Sequence, residues 1–294
     1  MAHCESSPPN KKSKIKLGAA QIVPSFLNKT ESTKKVLQWI REAGSQGVTV
    51  VSFPKTIIPG YPAWLGHYPL DDPRTMNMYQ RLFDKSIVIP GPETELIGDA
   101  CRDAAIYAVV GCSEKRSNTN GTLWNTQMIF GPDGQLLLKH QKYMPTVFEK
   151  LVYAHGTTET ASSVPTEFGV LSTLICGENS NHLANYNLAQ KAATVHVASW
   201  PPYYPGPWSL ANCSRVSSCG LAYTLKAFVI NATAVINNDK STTINPMGEV
   251  IAELTEDYKT LLTAEVKIKE TVITKLIHNY RGHYNRPGLL KCFF

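Results

Sequence analysis

The chain has 294 residues, 43% of them apolar and 18% charged, with a formal net charge of +6; this is globular composition, long enough for one large α/β domain or two small ones. Its basic residues are spread along the chain apart from Asn10 to Lys16 (NKKSKIK), a cluster that reads as a solvated tail and not as a nucleic-acid footprint. No N-terminal h-region is present and no apolar run approaches the ~20 residues of a membrane span, so a soluble, cytoplasmic protein with neither nucleic-acid nor membrane partners is expected.

A polar tail is expected over residues 1–14 and a single domain over 15–294. KIKLGAAQIV alternates and ends apolar as a strand does, and TESTKKVLQWIREAGSQG sets Val36, Ile40 and Ala43 at helical spacing between a Ser/Thr start and a Gly end. VTVVSF is the next strand, so the chain opens β-α-β. ELIGDACRDAAI then predicts a helix, YAVVGCSEK a strand, and TLWNTQMIFGPDGQLLLKHQKY two strands about the turn at Pro132 to Gly134. GVLSTLIC reads as a strand, Ser180 to Ala192 as a helix and TVHVASW as a strand. A Pro-rich loop (Pro201 to Trp208), a long Ala/Ser/Leu helix, the strand AFVINATAVI and a hairpin about Asn245 to Gly248 complete the series. Strands and helices alternate without a break in composition, which predicts one α/β domain with mixed strands.

Seven cysteines at scattered spacings include no CxxC pair, so no zinc or redox site is expected. In LSTLICGENSNHLA the strand ends at Cys176, and Gly177 allows a sharp turn before a helix that Asn179 or Ser180 could cap. Such a cysteine is either a nucleophile near a helix N-terminus or a buried core thiol. LLLKHQKYMP delivers Lys139, His140 and Lys142 to a turn at Pro145, where a lysine could support a thiolate or an anionic intermediate; a solvated strand end is the plainer reading. VVSFPKTIIPGYPAW places Lys55 at the mouth of a turn.

Taken together, LGAAQIVP, VVSFPKTIIPGYP, GPDGQLLLKHQKYMPTVFEKLVYAHG, LICGENSNHLANYNLAQ, VHVASWPPYYP and GHYNRP resemble the nitrilase, or carbon-nitrogen hydrolase, superfamily. The resemblance runs from about Lys14 to Pro287 and is strongest to the nitrilase and cyanide-hydratase branch. It implies a four-layer αββα sandwich, no cofactor and no metal, a small-molecule substrate, and assembly as a homodimer or larger homo-oligomer. It also implies roles: Cys176 matches the nucleophile, Lys142 the catalytic lysine and Glu149 the second glutamate. The general base of the family follows the proline of an FPE motif; here that position is Lys55. Tyr61, Trp64, His67, Trp200, Tyr203, Tyr204 and Trp208 fall in loops where the family forms its pocket mouth, and Tyr61, Trp64, Trp200 and Tyr203 are the expected substrate contacts. Arg281, His283 and Arg286 receive no role.

A carboxylate accepts protons near neutral pH and an ammonium does not, so Lys55 leaves three readings. The first is a nitrile or amide hydrolase with Cys176 as nucleophile and weakened water activation, with Glu149 or Glu178 as substitute bases. The second is a pseudoenzyme or binding subunit. The third is the same pocket turned to a cyclisation or condensation.

Overall fold

The structure is a computed structural model that describes residues 12–157, 161–202, 210–234, 240–254 and 260–286. Strand β1 (Lys14–Gln21), helix α1 (Lys29–Ser45) and strand β2 (Val50–Ser52) follow the predicted β-α-β opening. The side chain of Asn28, ahead of the Ser/Thr start read from the sequence, accepts from Glu31 N–H and caps α1. Helices α2 (Pro73–Lys85) and α3 (Pro92–Ala104) both begin on proline, whose missing N–H is no loss in a first turn. The apolar patterning does not predict α2. Only Thr75 and Leu82 of that helix are buried, so it carries no wide core-facing stripe.

Then come β3 (Tyr107–Lys115), β4 (Leu123–Phe130), β5 (Leu136–Gln141), β6 (Ser163–Thr166), β7 (Gly169–Ile175), α4 (His182–Gln190) and β8 (Ala193–Ser199). The order closes with α5 (Leu210–Leu225), β9 (Phe228–Ala232), β10 (Thr242–Ile244), β11 (Val250–Glu253), β12 (Thr260–Lys267) and α6 (Lys269–Thr274). The expected hairpin is present: β10 and β11 pair antiparallel, and Asn245 Oδ1 accepts from Met247 N–H and Glu249 N–H across the turn.

The strands form two six-stranded sheets, ordered β12-β1-β2-β3-β4-β5 and β11-β10-β9-β8-β7-β6. Both are mixed, with parallel pairs in β1-β2-β3 and β7-β8-β9 and antiparallel pairs outside them. Alternation along the strands separates two apolar layers. Leu17, Val50, Val109 and Ile129 meet Leu171, Val195, Val197 and Phe228 between the sheets. Ala20, Val51, Ala108 and Val110 point the other way, onto Val36 and Ile40 of α1 and Ile97 and Ala100 of α3. Leu174 on the outer side of the second sheet packs with Leu188 of α4 and Leu221 and Leu225 of α5. These layers make the αββα sandwich. Each buried Leu, Ile or Phe side chain contributes ~1.5–3 kcal/mol, so the inter-sheet layer is a main source of stability. Among the described residues no helix is long and apolar enough to cross a membrane.

Candidate active site

Lys55 is carried across the gap between the sheets by backbone pairing on both sides. Just beyond β2, Phe53 N–H donates to Val109 O at 3.0 Å, while Ser199 Oγ of β8 donates to Phe53 O at 3.0 Å. Two residues on, Lys55 N–H donates to Trp200 O at 3.1 Å. Thr56 takes a φ of 47°, which turns the chain sharply back. Gly111 of β3 lies directly beneath. A Cβ there would sit 2.6 Å from Thr56 N, so only glycine lets the strand approach this turn. The Lys55 side chain ends up fully buried.

Its partner is Glu149. The segment Thr146-Val-Phe-Glu149 is a capping box that opens a 3-10 turn over Val147–Leu151, with Thr146 N–H donating to Glu149 Oε2 at 3.1 Å. Lys142, just past β5, donates from Nζ to Glu149 Oε2 at 2.6 Å and to Thr146 Oγ1 at 2.8 Å. Lys55 Nζ donates to Glu149 Oε1, and Tyr61 OH reaches the same oxygen at 3.3 Å. Four donors therefore surround one carboxylate, which matches its roughly four lone-pair sites. Burial disfavours the charge on Glu149, but Lys55 and Lys142 together hold its pKa down at about 2.

The two lysines respond in opposite directions. Burial lowers the pKa of Lys55, outweighing the pull of Cys176 and Glu149, and Lys142 adds to the lowering. Lys142 is also buried, which opposes its charge, yet Glu149 and Cys176 raise its pKa above the ordinary lysine value. Lys142 is thus the fixed cation of the pair. Lys55 is the one that gives up a proton more readily.

Cys176 follows β7 with a φ of 54°, a left-handed conformation uncommon outside glycine. Gly177 comes next because a Cβ there would lie 3.2 Å from Thr146 Oγ1, the hydroxyl that Lys142 uses. The expected cap at Asn179 or Ser180 is corrected by the structure. A 3-10 turn over Cys176–Ser180 intervenes, and Asn181 caps α4 by accepting from Leu183 N–H and Ala184 N–H. Asn179 instead turns inward, donating to Leu174 O at 3.2 Å and Cys176 O at 2.8 Å and receiving a hydrogen bond from His196 Nε2 at 2.9 Å. Burial and the neighbouring His140 push the His196 pKa down to about 3, so that ring is neutral. With α4 starting several residues on, Lys55 and Lys142 are the positive groups within electrostatic reach of the thiol.

Two other residues singled out in the sequence have partners of their own. Lys139 pairs with Glu114 at 2.8 Å. Glu178 accepts from Ile175 N–H at 2.8 Å, Tyr143 N–H at 2.5 Å and His140 Nε2 at 3.0 Å.

The structure separates the aromatic candidates. Tyr61 is in the cluster, its ring 4.5 Å from Lys55 Nζ. Trp200 is buried beside Cys176 and Ile175, and its indole N–H has no hydrogen-bond partner among the described residues. Trp64 lies elsewhere, in an apolar group with Leu27, Leu82 and Tyr153, its ring edge-on to Phe26. His67 is exposed. Tyr203, Tyr204 and Trp208 fall outside the described residues. Thr146 was not singled out by sequence reasoning, although its T-x-x-E spacing to Glu149 is a readable capping-box signal. Among the described residues no group of three or more His, Cys, Asp or Glu side chains is placed to hold a metal ion.

Comparison with known proteins agrees with this architecture. A cyanide hydratase of Gibberella zeae is 30% identical over 95% of this chain and 86% of its own length. A protein named nitrilase 3, from an unknown prokaryotic organism, is 29% identical over 94% of this chain and 88% of its own. The crystal structure of Saccharomyces cerevisiae Nit3, from branch 10 of the nitrilase superfamily, superposes with a TM-score of 0.71 over 93% of this chain and 97% of that one, at 17% identity. The carbon-nitrogen hydrolase profile matches residues 16–275, and the chain belongs to that family.

Proposed function

We propose that this protein is a nitrilase-like enzyme that attacks the carbon of a nitrile or amide with Cys176, and that its hydrolysis is slowed because Lys55 occupies the position of the family's general base. The observation that carries the reading is the clamp on Glu149, whose oxygens are taken by Lys55, Lys142, Tyr61 and Thr146 N–H. With that carboxylate saturated, Lys55 is the group left to exchange protons with the thiol.

In this scheme the Cys176 proton moves to the neutral Lys55 amine and the sulfur forms a bond to the substrate carbon. The π electrons of the C≡N or C=O bond move onto nitrogen or oxygen, where Lys142 stabilises the charge. For a nitrile, the Lys55 ammonium then returns its proton to nitrogen and a thioimidate is left on Cys176. For an amide, the same proton leaves with ammonia and a thioester results. Water must next be deprotonated as it attacks. A base works best with a pKa near the working pH, and a mismatched one forfeits part of a contribution of order 10²–10⁴. In the position where the family carries a carboxylate, an amine is a poorer match to this step, and the intermediate is released slowly. The Trp200 indole, packed in one cluster with Cys176 and with no hydrogen-bond partner for its N–H among the described residues, is the proposed donor to the substrate.

Two copies are proposed to pair through α4 and α5. Leu183 and Val216 are exposed there beside a groove of about 580 Å³ lined by both helices.

Intact-protein mass spectrometry with a panel of small and aryl nitriles and amides tests the chemistry. An adduct should accumulate on the wild type, be absent from Cys176→Ala, and turn over to product in Lys55→Glu. Neither adduct nor product from the wild type and Lys55→Glu would overturn the proposal.

A further inference from the structure

The nucleophile and the lysine stand on different sheets, Cys176 at the end of β7 and Lys142 just past β5, so their separation depends on whatever locks those two sheets together at this point. Glu178 bridges them. Its Oε2 accepts from Ile175 N–H, the residue before Cys176, and from His140 Nε2; its Oε1 accepts from Tyr143 N–H. Residues 140 and 143 bracket Lys142, so one buried carboxylate grips both the backbone that presents the thiol and the backbone that presents the ammonium. His140 is itself held at its other nitrogen by Ala161 O at 3.0 Å and packs edge-on against Tyr143.

Neighbouring ties run within one sheet or serve another group. Glu114 gathers Lys139, Gln141 and Thr126, all of the first sheet. Asn179 holds the carbonyls of Leu174 and Cys176 on the second sheet. Gln127 donates to Ser199 Oγ between the sheets, and Ser199 in turn holds Phe53 O, two residues before Lys55. The left-handed turn at Cys176 gives this bridge its purpose. A residue at positive φ persists only where its surroundings over-determine it, and a released elbow would carry the sulfur away from Lys142.

We infer that Glu178 is a positioning residue: its oxygens are engaged by Ile175 N–H, Tyr143 N–H and His140 Nε2, and it sets Cys176 at working distance from Lys142 by joining β5 to the elbow. The inference rests on Cys176 being the nucleophile, but it can be tested without any nitrile.

The probe is iodoacetamide, which reads thiolate reactivity directly; alkylation of the peptide containing Cys176 is followed by mass spectrometry, so that Cys213 and Cys219 do not interfere. In Glu178→Gln one donor faces an amide N–H₂, and the alkylation rate should fall about tenfold, a loss of ~1.4 kcal/mol. Lys142→Met should fall at least as far. The double variant should fall no further than Lys142→Met alone, because Glu178 acts through the placement of that lysine. Equal rates in wild type and Glu178→Gln, or losses that multiply in the double variant, would overturn the inference. Should Glu178→Gln not fold, His140→Leu and His140→Gln replace it. The first removes a strut and should slow alkylation, whereas the second keeps a donor to Glu178 and should restore most of the rate. A wild-type rate in His140→Leu would overturn the inference equally. Failure of the nitrile panel leaves these rates measurable, so the two conclusions stand or fall separately.

Discussion

In the proposed mechanism the protonation of Lys55 sets the pH behaviour. There it accepts the thiol proton only as a neutral amine, and below its pKa the neutral fraction falls about tenfold per pH unit. Burial has moved that pKa below the ordinary lysine value. kcat/KM should therefore climb through the neutral and alkaline range and level off below pH 10.5. In Lys55→Glu the rising limb should move into the acidic range, because a carboxylate is deprotonated there. A profile that does not change with this substitution would remove Lys55 from the proton path. Lys142 does not compete for the role, since its pKa is raised and it keeps its proton across the same range.

At the scale of elements, the turn bearing Lys55 depends on how closely β3 passes beneath it. A methyl group at residue 111 would meet Thr56 N at 2.6 Å and Lys55 Cα at 3.1 Å, both rigid backbone. Gly111→Ala should therefore cost ~1–3 kcal/mol of stability and displace Lys55, with loss of Cys176 adduct formation. Gly220 of α5 is the contrast: a Cβ there meets nothing within 4 Å, and Gly220→Ala should raise stability by up to ~1 kcal/mol through helix propensity. Thermal unfolding of the two variants in opposite directions would separate close approach from simple conformational entropy. The same scale shows what could be read from the sequence. β3, β4 and β7 are legible because their apolar residues alternate or run continuously between turn signals, and Cys176, Lys142 and Glu149 are legible as motif positions. Glu178 is different. Its three donors come from residues 140, 143 and 175, and no local pattern says that two sheets will bring them to one carboxylate. α2 escapes notice for the reverse reason: its start is well signalled by Asp72 and Pro73, but its faces are mostly wet.

For the whole molecule, the proposed pairing concerns α4 and α5, where Val216 is 71% exposed and Leu183 52%. If two copies pair there, light scattering coupled to size exclusion should give at least twice the 32.4 kDa of one chain, and Val216→Glu should shift the population to monomer. A wild-type monomer at micromolar concentration would refute the pairing. The site lies under this face, since the turn Cys176–Ser180 packs against α5, so loss of pairing should also be read in the rate at Cys176.

The outermost strand of the first sheet is β12, and it lies against β1 in an eight-residue antiparallel register from Lys14 opposite Lys267 to Gln21 opposite Thr260. As the chain leaves the ribosome, β1 is made well before its partner. Until residue 267 has emerged, one whole edge of β1 has nothing to bond, and the layer containing Leu17 lacks Leu262 and Val266. Between the synthesis of β1 and that of β12 the nascent chain therefore carries an open strand edge, the arrangement that invites association with other chains. The burden of protecting it falls on the machinery that attends translation, and the finished sandwich shows no trace of that period.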